Sequence, residues 1–198
     1  LGATIALDYE PAGNNYGMPF PKWLLSEVAI NDGVNGDGPS WRKTRMVYEA
    51  PVHDRHEREF YGFAKTTEEQ LDTENGDAVY RRLVSEYTNE NFYNRGLLTK
   101  NYTEDATGNR YQETEFTYEL QNPSTQTSLP PNLLTSDQGR AFPNLLQRVE
   151  RYYEGGPAAE VEQRTSFAYD TLGQLLVKTE FGDGTPEDEL RTEYEYLP

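Results

Sequence analysis

The sequence predicts an all-β protein of stacked antiparallel strand–turn–strand units forming one continuous curved sheet. Three observations carry this. Apolar and polar residues alternate with period two in Thr4–Tyr9, Arg45–Glu49, Thr114–Glu119 and Thr192–Tyr196, the pattern of a half-buried strand. Turn-forming clusters separate the runs: Asn31-Asp32-Gly33, Gly36-Asp37-Gly38-Pro39, Asn75-Gly76, Thr107-Gly108-Asn109, Gly155-Gly156-Pro157 and Gly182-Asp183-Gly184. The chain also resembles itself. Leu97-Leu98-Thr99-Lys100 aligns with Leu175-Leu176-Val177-Lys178, and without a gap Thr114-Glu115-Phe116-x-Tyr118 falls on Thr192-Glu193-Tyr194-x-Tyr196.

Taken in order, strands are expected at Ile5/Leu7/Tyr9, Leu24–Val28, Met46–Tyr48, Phe63–Lys65, Val84–Tyr87 and Leu97–Lys100. They continue at Phe116–Tyr118, Leu145–Val149, Phe167–Tyr169, Leu175–Lys178 and Tyr194–Tyr196, with successive units pairing antiparallel in sequence order. Thr66–Leu71, with Glu68, Glu69 and Gln70, is the best helix candidate. The link from Tyr169 to Leu175 is tight. The stretch 121–142 is rich in Pro, Ser, Thr and Asn and reads as a surface loop insertion within a single β segment spanning 1–198. Such a unit cannot pair both edges alone, so copies must stack. The chain starts without Met, inside what reads as a return strand, and stops where a next turn should begin. That suggests an excised section, firm in its middle and frayed at its ends.

Composition narrows the chemistry. Asp and Glu total 34 against 18 Lys and Arg, a net charge of -16, which argues against binding nucleic acid or anionic lipid. With no cysteine, disulfides, Cys-ligated zinc and thiol catalysis are excluded. No apolar run approaches the roughly 18 residues of a membrane span, and no signal peptide is visible. Leu, Ile, Val and Phe make only about 19% of the chain, at the compositional border of disorder. Fifteen Tyr and two Trp tip the balance toward strands, because aromatics bury large areas while keeping a polar handle.

Catalytic and metal constellations are weak. His53-x-x-His56 would present two imidazoles on one side only in a helix, and Glu57–Phe63 reads as strand, so cross-strand ion pairs among Arg55, Glu57, Arg58 and Glu59 are the preferred reading. Asn31–Gly38 resembles a calcium loop in composition. It lacks the Asp-x-Asp-x-Asp-Gly spacing and the twelfth-position Glu, and a hairpin turn is favoured. No carboxylate pair stands out in an apolar setting; Glu187-Asp188-Glu189 reads as a solvated turn. There is no Gly-x-Ser-x-Gly elbow and no phosphate loop. Tyr-rich strands could stack on sugars, but ordinary amphipathic filling is the simpler reading.

Phe167-Ala168-Tyr169-Asp170-Thr171-Leu172-Gly173-Gln174-Leu175 resembles the YD repeat of Rhs proteins. In it Tyr169 ends a strand, Asp170 can bond turn amides, Gly173 can take positive φ, and Leu175 opens the next strand. Arg58-Glu59-Phe60-x-Gly62-Phe63 is similar to the Arg-Glu-Phe-x-Gly-Phe signature of the B component of bacterial insecticidal toxin complexes, with Trp23-Leu24-Leu25 similar to the stretch upstream. The full YD pair stands only at Tyr169-Asp170; Tyr87-Thr88 and Tyr118-Glu119 have drifted, and nothing resembles the self-cleaving aspartyl protease motif of many Rhs shells. The resemblance implies a section of a larger secreted or cell-surface shell, structural and not an enzyme, with no cofactor and no metal. Its implied partners are flanking repeats of the same polypeptide and an enclosed toxin polypeptide, without nucleic acid or membrane insertion. Related repeats in animal teneurins leave an adhesive or carbohydrate-binding module as the alternative.

Overall fold

The computed structural model describes residues 2–34, 40–125, 127–129, 140–182 and 188–196. They form one sheet of eleven antiparallel strands in strict sequence order, without a crossover. The strands are β1 (Thr4–Ala12), β2 (Lys22–Asn31), β3 (Trp41–Asp54), β4 (Glu59–Asp72), β5 (Ala78–Thr88) and β6 (Leu97–Asp105). They are followed by β7 (Arg110–Gln121), β8 (Phe142–Tyr152), β9 (Val161–Tyr169), β10 (Leu175–Phe181) and β11 (Leu190–Glu193). The sequence-order antiparallel pairing expected from the repeat is observed. The turns at 36–39 and 183–184, the carboxylates Asp37 and Glu187, residues 197–198 and most of 126–139 lie outside the described residues.

Three expectations need correction. Thr66–Leu71 is not helical but the middle of β4, because its Glu and Gln side chains find partners across strands: Glu69 faces Arg45 and Arg82, and Glu68 faces Met46 and Leu83. Glu57 and Arg58 are not strand. Asp54 Oδ1 accepts the amides of His56 and Glu57, both at 2.8 Å, and Arg58 takes φ 56°, so the chain reverses there and β4 begins at Glu59. The last strand ends at Glu193, three residues before the expected Tyr196, although Tyr194 still donates its amide to Leu176 O at 2.9 Å.

The meander gives the sheet two rims. One carries the connections β1–β2, β3–β4, β5–β6, β7–β8 and β9–β10; the other carries those between. Each even strand along the first rim holds an extra residue close to its start: Ser26, Tyr61, Thr99, Leu146 and Leu176. Such bulges bend and twist the strand locally, so their repetition at one rim curves the sheet in a consistent sense. The segment 13–21 between β1 and β2 folds back against β3. Its Met18 is 1% exposed, the most deeply buried large side chain described.

Candidate functional site

Residues directly opposite each other in antiparallel strands share a face, so the register sorts every side chain. One face carries charges that alternate in sign across strands. Glu27, Arg45, Glu69, Arg82, Glu104 and Arg110 form one such row across β2–β7. A second runs Glu49, Lys65, Glu86, Lys100, Glu115 across β3–β7. A third runs Glu113, Arg151, Glu162 across β7–β9. Arg45 donates to Glu69 at 2.8 Å and Arg82 to the same carboxylate at 3.2 Å. Burial opposes ionisation of Glu69, yet these two guanidiniums outweigh it and hold its carboxyl below the usual range.

Arg151 is the hub of this ionic face. It donates to Glu115 at 2.8 Å, Glu113 at 2.9 Å and Glu162 at 2.9 Å. Its bond to Glu115 leads the causes that raise the guanidinium pKa, and the same bonds lower those of Glu115 and Glu162. Glu113 is only 3% exposed and is also held by Arg110, whose guanidinium lies 4.2 Å from the Tyr102 ring. The long stems of these side chains lie over the sheet and bury Val84 and Val149, the work a second layer does in a sandwich.

The opposite face is different. Its centre is hydroxyl and amide: Ser85, Asn101, Thr103, Gln112 and Thr114 line a shallow groove of about 170 Å³ with Glu68 and Leu83. Two larger grooves flank it. One of about 610 Å³ includes Val28, Ile30, Thr44, Gln70 and Tyr80. The other, about 510 Å³, includes Val161, Gln163, Thr165 and Leu190. Large apolar side chains stand open here: Ile5 at 66%, Leu190 at 61% and Val161 at 50% exposure. Charges on this face are mixed, Arg42, Arg81, Arg148 and Lys178 standing with Glu68, Asp72, Asp105, Glu150 and Glu180.

At the bulged rim the sequence motifs meet their geometry. Tyr169 ends β9 and its hydroxyl donates to Leu145 O at 3.1 Å. Tyr48 does the same to Leu25 O at 3.0 Å, and Tyr196 to Leu175 O at 2.9 Å. In all three, the accepting carbonyl belongs to the residue just before the bulge in the preceding even strand. A bulge breaks the ladder and leaves a backbone group to satisfy, and the tyrosine of the next strand supplies the donor. Asn89, just after β5, donates its side-chain amide to Phe63 O at 3.2 Å, two residues past the β4 bulge at Tyr61. Asp170 Oδ1 accepts the amides of Leu172 and Gln174, both at 2.8 Å, Gly173 sits at φ 79°, and Leu175 opens β10 opposite Tyr169. The tyrosine–carbonyl latch was not readable from the repeat, because its acceptor is a backbone atom more than twenty residues away.

Residues 1–96 match the family model described as the insecticide toxin TcdB middle/N-terminal region. The chain resembles the B component of insecticidal toxin complexes. Solved structures agree at the level of fold. A crystal structure of TcdB2-TccC3-Cdc42 superposes with a TM-score of 0.64 at 14% identity over 93% of this chain. TcdB2-TccC3 without its hypervariable C-terminal region gives 0.64 at 13% over 100%. The Photorhabdus luminescens Tc holotoxin pore gives 0.64 at 15% over 90%. The chain spans 12%, 12% and 11% of those chains respectively. No curated protein matches it.

Within the part similar to the TcdB middle/N-terminal region lies the Arg58–Phe63 motif, at the corner where β3 turns into β4. Glu59 is ion-paired with Arg95 of the 89–96 turn, while Arg55 lies 4.1 Å from the Tyr16 ring. Phe60 stacks edge-on to Phe63 at 5.5 Å and carries Lys22 at 4.3 Å from its ring. Gly62 takes φ 114° next to the β4 bulge, a conformation L side chains rarely adopt. Burial, reinforced by Asp54 and Glu57, pushes the Tyr61 hydroxyl up to about 12. His53 is in β3 with both ring nitrogens buried and unpartnered, against Phe20 at 5.0 Å, while His56 is in the turn. Among the described residues no group of three or more His, Asp or Glu is gathered as a metal ion would need. Nor is any helix there long and apolar enough to cross a membrane.

Proposed function

We propose that this chain is a non-catalytic section of the hollow shell of a secreted bacterial toxin complex, in which flanking repeats of the same polypeptide continue the sheet and a toxin polypeptide is enclosed. The observation that carries the reading is the open sheet itself. β1 and β11 each pair on one side only, and among the described residues no second sheet or helix covers either broad face. A sheet with two free edges is a template for further strands, and repeat sheets satisfy that need with more of the same chain. Likeness to TcdB-containing structures, of which this chain spans about an eighth, supports the same conclusion. The Tyr169–Leu175 and Arg58–Phe63 motifs then serve as rim and corner fasteners of the wall. Electron microscopy of the full protein carrying this sequence tests the reading: a closed hollow body is expected, and a solid or extended particle would overturn it.

A further inference from the structure

We infer that the seam between β6 and β7 is a hinge of this sheet, a place where neighbouring hairpins part more readily than at the fastened seams. The inference rests on the ladder and its hydrogen bonds and stands apart from the shell reading above. Five strand pairs, β2–β3, β4–β5, β6–β7, β8–β9 and β10–β11, turn at the far rim and end open at the bulged rim. Their last rungs there are Glu27 with Arg45, Lys65 with Glu86, Lys100 with Glu115, Gln147 with Ser166 and Val177 with Glu193. One rule places a fastener beyond the rung. The third residue past it on the later strand donates to the carbonyl of the second residue before it on the earlier strand. Tyr48 reaches Leu25 O at 3.0 Å, Asn89 reaches Phe63 O at 3.2 Å, Tyr169 reaches Leu145 O at 3.1 Å and Tyr196 reaches Leu175 O at 2.9 Å. Opening any of these four seams from the rim requires breaking the fastener as well as the last rung.

At β6–β7 the rule assigns Tyr118 to Leu98 O, and there the bond is not made. Both residues are described, and no hydrogen bond joins them. Tyr118 acts on the next seam instead: with burial as the larger cause, it raises the pKa of Tyr169, whose hydroxyl is held by Leu145 O, the residue opposite Tyr118. The ion pairs give a second, independent sign. Across β6–β7 Lys100 lies 3.9 Å from Glu113 and 3.8 Å from Glu115, beyond hydrogen-bond length. Across β8–β9 Arg151 donates to Glu162 at 2.9 Å, and across β4–β5 Arg82 donates to Glu69 at 3.2 Å. The contact of Arg110 with the Tyr102 ring, at 4.2 Å, sits toward the turn end of β6–β7 and does not clamp its open end. The seam therefore lacks both the side-chain fastener and the short ionic clasp that hold β8–β9, and its last rung is the first resistance to opening.

Amide-resolved hydrogen exchange on the full protein carrying this sequence tests the hinge. The amides to compare are those bonding across β6–β7 among Lys100–Tyr102 and Glu113–Glu115, and those bonding across β8–β9 among Gln147–Val149 and Arg164–Ser166. In the wild type the first set should exchange roughly fivefold faster than the second, the weight of about one hydrogen bond. Tyr169→Phe should bring the β8–β9 amides up to the β6–β7 rate, and Tyr118→Phe should leave the β6–β7 amides unchanged. Equal rates in the wild type overturn the inference, and that comparison needs no variant. Faster β6–β7 exchange in Tyr118→Phe overturns it too, since the Tyr118 fastener would then be closed in solution. So does a Tyr169→Phe variant whose β8–β9 exchange is unaltered. None of these outcomes depends on whether the full protein is a hollow body, so the hinge and the shell reading fail separately.

Discussion

The corner built by β1–β4 and the middle built by β5–β9 protect the same single-layer sheet by different means. At the corner a piece of chain does the covering. Asn15 Oδ1 accepts the Met18 amide at 2.8 Å, and Met18 is thereby set among Leu24, Leu25, Met46, Tyr48 and Phe63. Gly17 approaches so closely that a Cβ there would meet Pro51 O at 2.0 Å. In the middle, among the described residues, no chain folds over; long charged side chains lie flat and close in alternating rows. The first device is apolar and indifferent to pH, the second depends on ionisation. A thin sheet can therefore be stable with a small share of aliphatic residues, provided its charges are in register.

The largest expected effect is at the corner. Met18→Ala should cost about 3 kcal/mol, the order typical of emptying a fully enclosed site, read as a lower urea midpoint with unchanged slope. Next comes the hub: Arg151→Met should cost about 1–3 kcal/mol at neutral pH, since Glu113 keeps Arg110 but loses one of its cations. Its pH dependence separates the two regions. Glu115 and Glu162 ionise more readily in the folded chain than in the unfolded one. Their contribution is therefore present above about pH 4.3 and is lost as pH falls through the lowered folded values. The gap between wild type and Arg151→Met should close in acid, while that for Met18→Ala should persist; parallel behaviour of both variants would erase the distinction. The smallest effect is at the rim, where Tyr169→Phe should cost about 1 kcal/mol for one hydrogen bond to a bulge carbonyl, measured by thermal melting beside Tyr48→Phe.

Strand existence and order were legible because alternation and the Leu-Leu…Tyr-x-Tyr repeat are local signals. Thr66–Leu71 misled because Glu68, Glu69 and Gln70 are good helix formers in isolation, and their strand partners lie on β3 and β5. Glu57-Arg58 misled in the other direction, since nothing local announces that Asp54 will gather the next amides. The Asp170–Gly173 turn could be read residue by residue because its bonds span at most four positions. The ionic rows could not, as Arg151 reaches back 38 residues to Glu113. Met18 gave no signal: its burial follows from Gly17 and Asn15 steering an irregular segment.

Hydrogen exchange of β1 most directly tests the claim that neighbouring strands complete this sheet. In the isolated 198-residue chain, amides of Ile5–Tyr9 should exchange much faster than those of Leu145–Val149 in β8, which has a partner on each side. In the full protein the Ile5–Tyr9 amides should become as slow as β8. Strong protection of β1 already in the dilute isolated chain, or no gain in the full protein, would contradict the account.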